Sequence, residues 1–558
     1  MSSAPVPPTQ DDASASHARV VRSAGVVSAA VFSSRITGLV RESVMAHLFG
    51  AGAVYDAFVV GFRIPNLMRD LFAEGALSSA FIPTLTRYLA SKTRAEAREL
   101  SNLVATSIIL IVGGICILGT IFSPALVFLL AGGFRAVPGK FELTVELTRI
   151  MFPFLLLVAL AAQAMGVLNA LNRFGVPALS STFFNIGSVT AGLILGFWLG
   201  PSIGIEPIEG MAWGVVVGGA LQLLWQVPLL VREGFGFRPR LDMSHPGLRQ
   251  IFALMGPAIL GGAAVQINVT VNTNFASSIT NAAGQVIDGP ASWLTFAFRF
   301  MQLPLGLFGV AIASATLPAI SRNAETGDMN AFRHTLTRSL GLVFLLTIPS
   351  SVGLHVLGPA MIGAIYEGGR FSAWDTRQTA LALSCYAIGL AGYSAIKVLT
   401  PAFYAVGDAR TPMTVSLASI IINFCAAFAM VRILGMGHAG LALSTSLVAV
   451  CGFLALMIAM ERRIGGIEKK ALGLSVLKIL VASGAMGAVC WLSTGAVEAW
   501  LGTSRFARLA DLAISIPLGL LVFYTACRLM KVTELEAGLR AVAGPLARRF
   551  GVRRDTLR

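Results

Sequence analysis

Charged side chains are scarce in this sequence: Asp, Glu, Lys and Arg make up 12% of its 558 residues, about half the fraction found in soluble domains. Hydrophobic residues make up 55%, and the mean hydropathy is +0.77. Such a composition leaves no room for a sizeable soluble domain. The chain is therefore predicted to be an integral membrane protein.

Motifs of common catalytic and metal sites are also missing. The six cysteines form no CxxC pair and lie inside apolar segments, so we expect neither disulfide bonds nor a metal site. No Walker A motif is present, so the chain is not expected to hydrolyse ATP. No cofactor is predicted.

Long apolar segments fill nearly the whole chain instead. About 20 apolar residues cross the hydrocarbon core as a helix, and the sequence predicts 14 such helices joined by short loops. The first, second and eighth are weak by hydropathy because they carry charges. The predicted centres lie near residues 35, 65, 113, 158, 188, 218, 263, 303, 344, 390, 422, 449, 483 and 517.

An internal repeat relates the two halves of the chain. Three landmark pairs are each separated by 235 residues: Pro83 with Pro318, Arg87 with Arg322, and Pro177 with Pro412. Because six spans per repeat give both copies the same orientation, we expect two parallel six-helix lobes around a central cavity. This all-α polytopic architecture is typical of alternating-access transporters.

The expected organisation has five parts. They are a disordered cytoplasmic tail (1–23), an N-lobe of helices 1–6 (24–235), a C-lobe of helices 7–12 (236–465), helices 13 and 14 (466–531) and a basic cytoplasmic tail (532–558). Both termini are predicted to be cytoplasmic, because Lys and Arg then concentrate in the inner loops and account for the net charge of +15. The main exceptions in the outer loops are Arg135, Lys140, Arg370 and Arg377.

The second predicted span carries charges that lipid would not tolerate. Four of them are spaced by nearly whole helical turns and so share one stripe: Asp56, Arg63, Asp70 and Glu74. Each charge facing lipid would cost roughly 2.5–3.5 kcal/mol, so the stripe should face a wet cavity or protein partners. Pro65 is expected to kink this helix, and only such a kink would bring Arg69 to the same cavity.

Further charges lie in the first span and in the second lobe. Arg35 and Glu42 share one face of the first span, and Arg41 shares another face with the neutral Ser34. In the second lobe, Arg299 is the counterpart of Arg63, and Lys397 adds a further cation. Together with the charges of the second span, this set comprises six cations and four anions. Arginine binds phosphate bidentately, so the surplus predicts an anionic, phosphate-bearing cargo. For any single residue the alternative is an ion pair that locks helices together.

Several sequence runs carry a family resemblance. "SRITGLVRE", "DAFVVGFRIPNLMRDLFAEGALSSAFIP", "FRFMQLPLGLFGVA" and "PAFYAVGDARTP", with others between about residues 24 and 530, resemble the signature runs of the MurJ (MviN) lipid II flippases. These belong to the multidrug/oligosaccharidyl-lipid/polysaccharide exporter superfamily. The resemblance implies a bacterial cytoplasmic-membrane protein that carries undecaprenyl-pyrophosphate-linked disaccharide pentapeptide (lipid II) to the outer leaflet. It also implies that helices 13 and 14 form a groove for the lipid tail.

The resemblance also implies roles for single residues. Substrate binding is expected of Arg35, Arg41, Arg69 and Arg299, with Ser34 and Asn66, and gating or charge pairing of Asp56, Glu42 and Glu74. The charge pattern by itself adds Arg63 and Lys397 to the residues expected to gate or pair charges. Gln302 stands where some relatives have a carboxylate, which argues against a role for an acid at that position.

Three functional questions stay open at this stage. The cargo could instead be a drug or another polyprenyl-linked oligosaccharide, carried by an exporter of the same superfamily. A polytopic glycosyltransferase is disfavoured, because its large catalytic outer loops have no counterpart here. Membrane potential, a sodium gradient or a proton gradient would each suit as the energy source. The expected partners are lipid II, membrane lipids and the cell-wall synthesis machinery, with no nucleic acid.

Overall fold

The computed structural model of the protein describes residues 10–71 and 77–536. The described residues are almost entirely helical, with two isolated β-bridges as their only extended pairings. They pack as two compact units. The first holds the described residues up to Met45 together with Ala53–Gln266, and the second holds Ala46–Gly52 and the described residues from Ile267 onward.

In the described part of the first half of the chain there are twelve α-helices. They are α1 (Gln10–Phe49), α2 (Ala53–Met68), α3 (Ser78–Ser91), α4 (Arg94–Ile121), α5 (Ser123–Ala131), α6 (Lys140–Met151), α7 (Pro153–Ala170), α8 (Gly175–Leu193), α9 (Gly200–Ile203), α10 (Pro207–Leu224), α11 (Val227–Arg232) and α12 (Pro246–Ser277). The boundary between the two units falls within α12.

Eight α-helices follow in the second unit as far as residue 536, where the described residues end. They are α13 (Pro290–Pro304), α14 (Ala311–Glu325), α15 (Met329–Tyr366), α16 (Ala373–Ala405), α17 (Arg410–Phe428), α18 (Gly437–Ile464), α19 (Lys469–Leu501) and α20 (Arg505–Leu529).

The membrane spans agree with the hydropathy pattern. Within the described residues, 11 helical stretches are long and apolar enough to cross a membrane, and α12 makes a twelfth if its two segments count as one span. These twelve match twelve of the 14 predicted centres, including the charged eighth span. The other two predicted spans correspond to α1 and α2, which are helical but fall outside the length and hydropathy criteria. The all-α polytopic fold is confirmed.

π-Helical segments recur at the offset of the predicted repeat. Ile194–Leu199 follows α8, and Ala429–Ile433 follows α17 and begins 235 residues later. Another π segment, Leu305–Val310, separates α13 from α14, and residues 69–71 at the end of α2 are also π-helical. Because π-helices are rare, their return at one offset supports an internal repeat.

Two boundaries differ from the sequence expectation. The part of the predicted disordered tail that the structure describes, residues 10–23, is helical, since α1 begins at Gln10; Ala and Arg in this stretch favour extension of an existing helix. Residues 1–9 and 537–558 lie outside the described residues. The first unit extends to Gln266, beyond the predicted lobe boundary at 235/236, because Gly247 of α12 lies against Tyr88 and Leu100.

Small residues allow close helix packing in both units. In the first, a Cβ at Gly214 of α10 would lie 2.3 Å from the carbonyl oxygen of Ser188 in α8. In the second, a Cβ at Gly389 of α16 would lie 2.6 Å from Cα of Ser446 in α18. Such contacts replace the hydrophobic effect as the force that holds helices together in lipid.

A buried amide network adds polar contacts inside the second unit. The Asn423 side chain of α17 donates to Oδ1 of Asn272 in α12 at 3.0 Å, and Asn272 donates to Thr445 of α18 at 2.9 Å. Asn268 donates to Ser419 at 3.0 Å. Three helices are therefore joined by uncharged hydrogen bonds.

Candidate functional site

The first unit holds most of the predicted site residues, beginning with α1. The Asn185 side chain of α8 donates to the carbonyl oxygen of Ser34 at 3.1 Å and to Oγ1 of Thr37 at 3.3 Å. Gly38 makes room for this amide, because a Cβ there would lie 3.4 Å from Asn185 Nδ2. Ser34 thus marks the place where α1 packs against α8. Arg35 is exposed and forms no side-chain hydrogen bond or ion pair within the described residues.

Arg41 and Glu42 lie together one turn beyond this packing contact. Arg41 Nη2 is 3.9 Å from Glu42 Oε1, and the Arg41 guanidinium lies over the ring of Phe184, 5.3 Å from its centroid. The Arg41 side chain keeps 19% of its surface exposed, whereas Glu42 is buried. The guanidinium is therefore held by an aromatic face and a carboxylate while remaining partly accessible.

Asp56 has a partner that the sequence analysis did not identify. Its Oδ2 is 2.9 Å from Nζ of Lys140, and both side chains are 1% exposed. The Lys140 ammonium also lies 4.1 Å from the ring centroid of Phe134. This pair joins α2 to α6 within the first unit. The carboxylate that was expected on a charged stripe is thus buried against a cation of its own unit.

The end of α2 changes from α- to π-helical geometry at Arg69, four residues after Pro65. The Arg69 guanidinium donates twice to Oδ1 of Asp70, at 2.9 and 3.2 Å, and 23% of its side-chain surface stays exposed. Arg63 and Asn66 are half-buried on the preceding turns. An irregular helix therefore follows the proline, and the arginine beyond it is paired with its neighbour. Glu74 lies outside the described residues.

Two of the predicted cations belong to the second unit. Arg299 is exposed on α13, and its Nη1 lies 3.5 Å from Oε1 of Gln302 one turn later. Lys397 is exposed on α16 and forms no side-chain hydrogen bond or ion pair with the described residues. The neutral amide of Gln302 adds no negative charge beside Arg299.

The arrangement offers guanidinium groups that keep hydrogen-bond donors accessible. Arg41, Arg69 and Arg299 each have a neighbouring acceptor yet remain partly or largely exposed, and Arg35 is exposed as well. Such groups can bind the oxygens of a phosphate or diphosphate. No cluster of His, Cys, Asp and Glu suited to a metal occurs in the described part of the chain.

Sequence reasoning did not identify the contacts that Lys140 and Asn185 make with Asp56 and Ser34. A signal existed for Lys140, since it is one of four cations that stand in outer loops against the charge bias. Two other exceptions also have specific contacts: Arg135 lies over Phe128 at 4.3 Å, and Arg377 over Trp374 at 5.7 Å. Asn185 had no comparable signal, because a single amide in an apolar span does not reveal its partner.

Comparison with known proteins gives the family. The family model described as "Lipid II flippase MurJ" matches residues 45–510. The "Lipid II flippase MurJ" of Burkholderia cenocepacia is 34% identical over 434 residues, covering 77% of this chain and 81% of that protein. The "Probable lipid II flippase MurJ" of Vibrio cholerae is 33% identical over 440 residues, with the same coverage.

Solved structures agree. A structure titled "Lipid II flippase MurJ, inward closed conformation" aligns with a TM-score of 0.72 at 26% identity, covering 90% of this chain and 98% of that one. An inward-facing multidrug transporter of the MATE family aligns with a TM-score of 0.58 at 15% identity, which shows a shared fold only. The protein is thus similar to transporters and not to enzymes. From the family match and the shared fold it follows that this chain belongs to the MurJ family of lipid II flippases.

Proposed function

We propose that this protein is a flippase that moves lipid II, the undecaprenyl-pyrophosphate-linked disaccharide pentapeptide, from the inner to the outer leaflet of the bacterial cytoplasmic membrane. The observation that carries this proposal is the family match over residues 45–510, together with relatives that are one-third identical over most of their length. The similarity to a MATE-family structure shows a shared fold only and is no reason to propose a different cargo.

The charged residues support this cargo in chemical terms. A diphosphate cannot cross about 30 Å of hydrocarbon unless its charge is compensated. We propose that Arg35, Arg41 and Arg299 bind the diphosphate during alternating access, with Arg69 assisting. Their exposed or partly exposed guanidinium groups are consistent with this role.

Finer features of the function belong to the same proposal. Both termini would face the cytoplasm, because the basic loops would then lie inside. The hairpin of α19 and α20 would hold the polyprenyl tail, and a membrane potential or ion gradient would drive the return of the empty carrier. The cell-wall synthesis machinery is the partner we would expect at the outer leaflet.

Depletion in the native bacterium tests the function directly. If the protein is withdrawn, lipid II should accumulate in the inner leaflet while its synthesis continues. Reconstituted vesicles provide the matched assay, in which the protein should expose labelled lipid II to an external enzyme. Accumulation of a different lipid-linked saccharide, or drug efflux without lipid II transport, would assign the protein to another function of the superfamily.

A further inference from the structure

A pocket lies between α14 and α16 in the second unit, separate from Arg299. Its volume is about 360 Å³, within the usual range for small-ligand sites. Three lining residues come from successive turns of α14 and three from the end of α16. They are Leu317, Ser321 and Glu325, and Pro401, Tyr404 and Ala405.

Polar side chains from both helices line this pocket. Within the described residues, the side chains of Glu325, Ser321 and Tyr404 form no hydrogen bond or ion pair. Glu325 and Tyr404 are exposed, whereas Glu367, Glu461 and Glu534, each bonded to a neighbouring side chain, are half-buried. A carboxylate, two hydroxyls and an aromatic ring thus remain available on one concave surface.

The chemistry of the lining selects for a cation with an apolar stem. Among the described lining residues Glu325 is the only charged one, and its carboxylate disfavours an anion inside the pocket. An ammonium can donate to the carboxylate and hydroxyls while lying near the Tyr404 ring. Leu317, Pro401 and Ala405 offer apolar surface for an aliphatic stem. One carboxylate is too few oxygen ligands for Ca²⁺ or Mg²⁺, which take six or more.

We propose that this pocket binds a primary ammonium group on an aliphatic stem. The inference deepens the proposed function and rests on it: the ammonium is the side-chain amine of the peptide on the lipid-linked cargo. Under the proposed orientation the loop after α14 is cytoplasmic, on the side where the cargo begins its transport. Lys397 lies one turn before Pro401 on the same face of α16, so its ammonium can donate to a carboxylate beside the amine.

Phosphatidylethanolamine carries the same chemical group, so the experiment needs two arms. The full-length protein is placed in nanodiscs of phosphatidylglycerol alone or with phosphatidylethanolamine. Binding is measured for lipid II with a free peptide side-chain amine and for lipid II acetylated on that amine. The variants are Glu325→Gln and Tyr404→Ala, with Glu468→Gln as a control at an exposed glutamate outside the pocket.

The free amine should bind about tenfold more tightly than the acetylated form, the combined effect of one partly exposed ion pair and one cation–π contact. Glu325→Gln should remove this preference, Tyr404→Ala should reduce it, and Glu468→Gln should leave it unchanged. If the preference is absent in phosphatidylglycerol but Glu325-dependent binding of phosphatidylethanolamine is seen, the pocket holds an ammonium from the membrane instead.

Equal binding of both lipid II forms, together with no Glu325-dependent binding of phosphatidylethanolamine, would overturn the ammonium site. If such a protein still transports both forms of lipid II, the proposed function stands without the ammonium site. If the wild type neither binds nor transports either form of lipid II, the proposed function fails, and the phosphatidylethanolamine arm alone decides the ammonium site.

Discussion

At the scale of single residues, the Lys140–Asp56 pair explains how this fold accommodates charge in its interior. Lys140 is the first residue of α6, where the helix dipole disfavours a cation. Its place is therefore explained by Asp56 at 2.9 Å and by the ring of Phe134, and not by helix stability. The pair ties α2, which carries Arg63 and Arg69, to the rest of the first unit.

Removing one member of this pair should be costly. Lys140→Met leaves the buried Asp56 carboxylate without this cation, so we expect the free energy of unfolding to fall by about 3–5 kcal/mol. Unfolding of the purified protein in detergent measures the loss. The double variant Lys140→Met with Asp56→Asn removes both charges and should recover most of it. Equal stability of wild type and Lys140→Met would contradict the importance of the pair.

Arg299 tests the role of the guanidinium fork. Arg299→Lys keeps the charge but loses bidentate binding, so lipid II transport should fall by about tenfold or more while the protein stays folded. Transport in reconstituted vesicles at matched protein levels is the measurement. Arg462→Lys, at an exposed position near the end of α18, is the control. Full transport by both Arg299→Lys and Arg299→Ala would leave Arg299 without a role in binding.

At the scale of elements, polar contacts fasten α20 to the hairpin of α15 and α16. Arg508 Nη1 lies 2.7 Å from Glu367 Oε2, and Arg505 Nε donates to the carbonyl oxygen of Ala364 at 2.9 Å. Thr376 donates to Glu367 at 2.6 Å. Gly363 leaves room for this approach, because a Cβ there would lie 2.2 Å from Arg508 Nη1 and the arginine side chain would have to shift. One end of the last helix pair is thereby attached to the second unit.

This attachment should depend on pH through Glu367. Burial raises the pKa of the Glu367 carboxyl, but hydrogen bonds from Arg508 and Thr376 outweigh it, so the pKa lies below its ordinary 4.5. A lowered folded-state pKa means that the contribution to stability is complete above pH 4.5 and is lost as the pH falls through the folded-state value. The stability difference between wild type and Glu367→Gln should therefore shrink between pH 6 and about pH 3.5. A difference that stays constant over this range would rule out the ionised pair.

At the scale of the whole molecule, the distribution of basic residues predicts the orientation in the membrane. α19 should begin at the cytoplasmic side and end at the periplasmic side, because Lys469 and Lys470 stand at its start and no cation stands in its last turn.

Cysteine labelling in cells tests this orientation. In a variant lacking the six native cysteines, Thr503→Cys, in the loop between α19 and α20, should react with a membrane-impermeant maleimide added outside. Lys470→Cys should react only after the cells are opened. The reverse pattern would place both termini outside and would contradict the proposed direction of transport, whereas labelling of neither site would show that these helix ends are covered.

Hydropathy and periodicity were sufficient to predict the membrane class, the helical fold and most of the spans, because a bilayer requires each crossing segment to be apolar and helical. The repeat was also readable, since both halves carry the same landmarks 235 residues apart. The resemblance of short charged runs further indicated the family. These properties depend on local sequence, which is why they needed no coordinates.

Partners of individual charges were decided only by the tertiary structure. Asp56 and Lys140 are 84 residues apart in sequence, and Ser34 meets Asn185 across a separation of 151; no helical period relates such positions. Arg69 similarly depends on a π-helical segment whose register hydropathy does not encode. A charge in a membrane protein must be compensated by something nearby, and which group is nearby follows from how the helices pack.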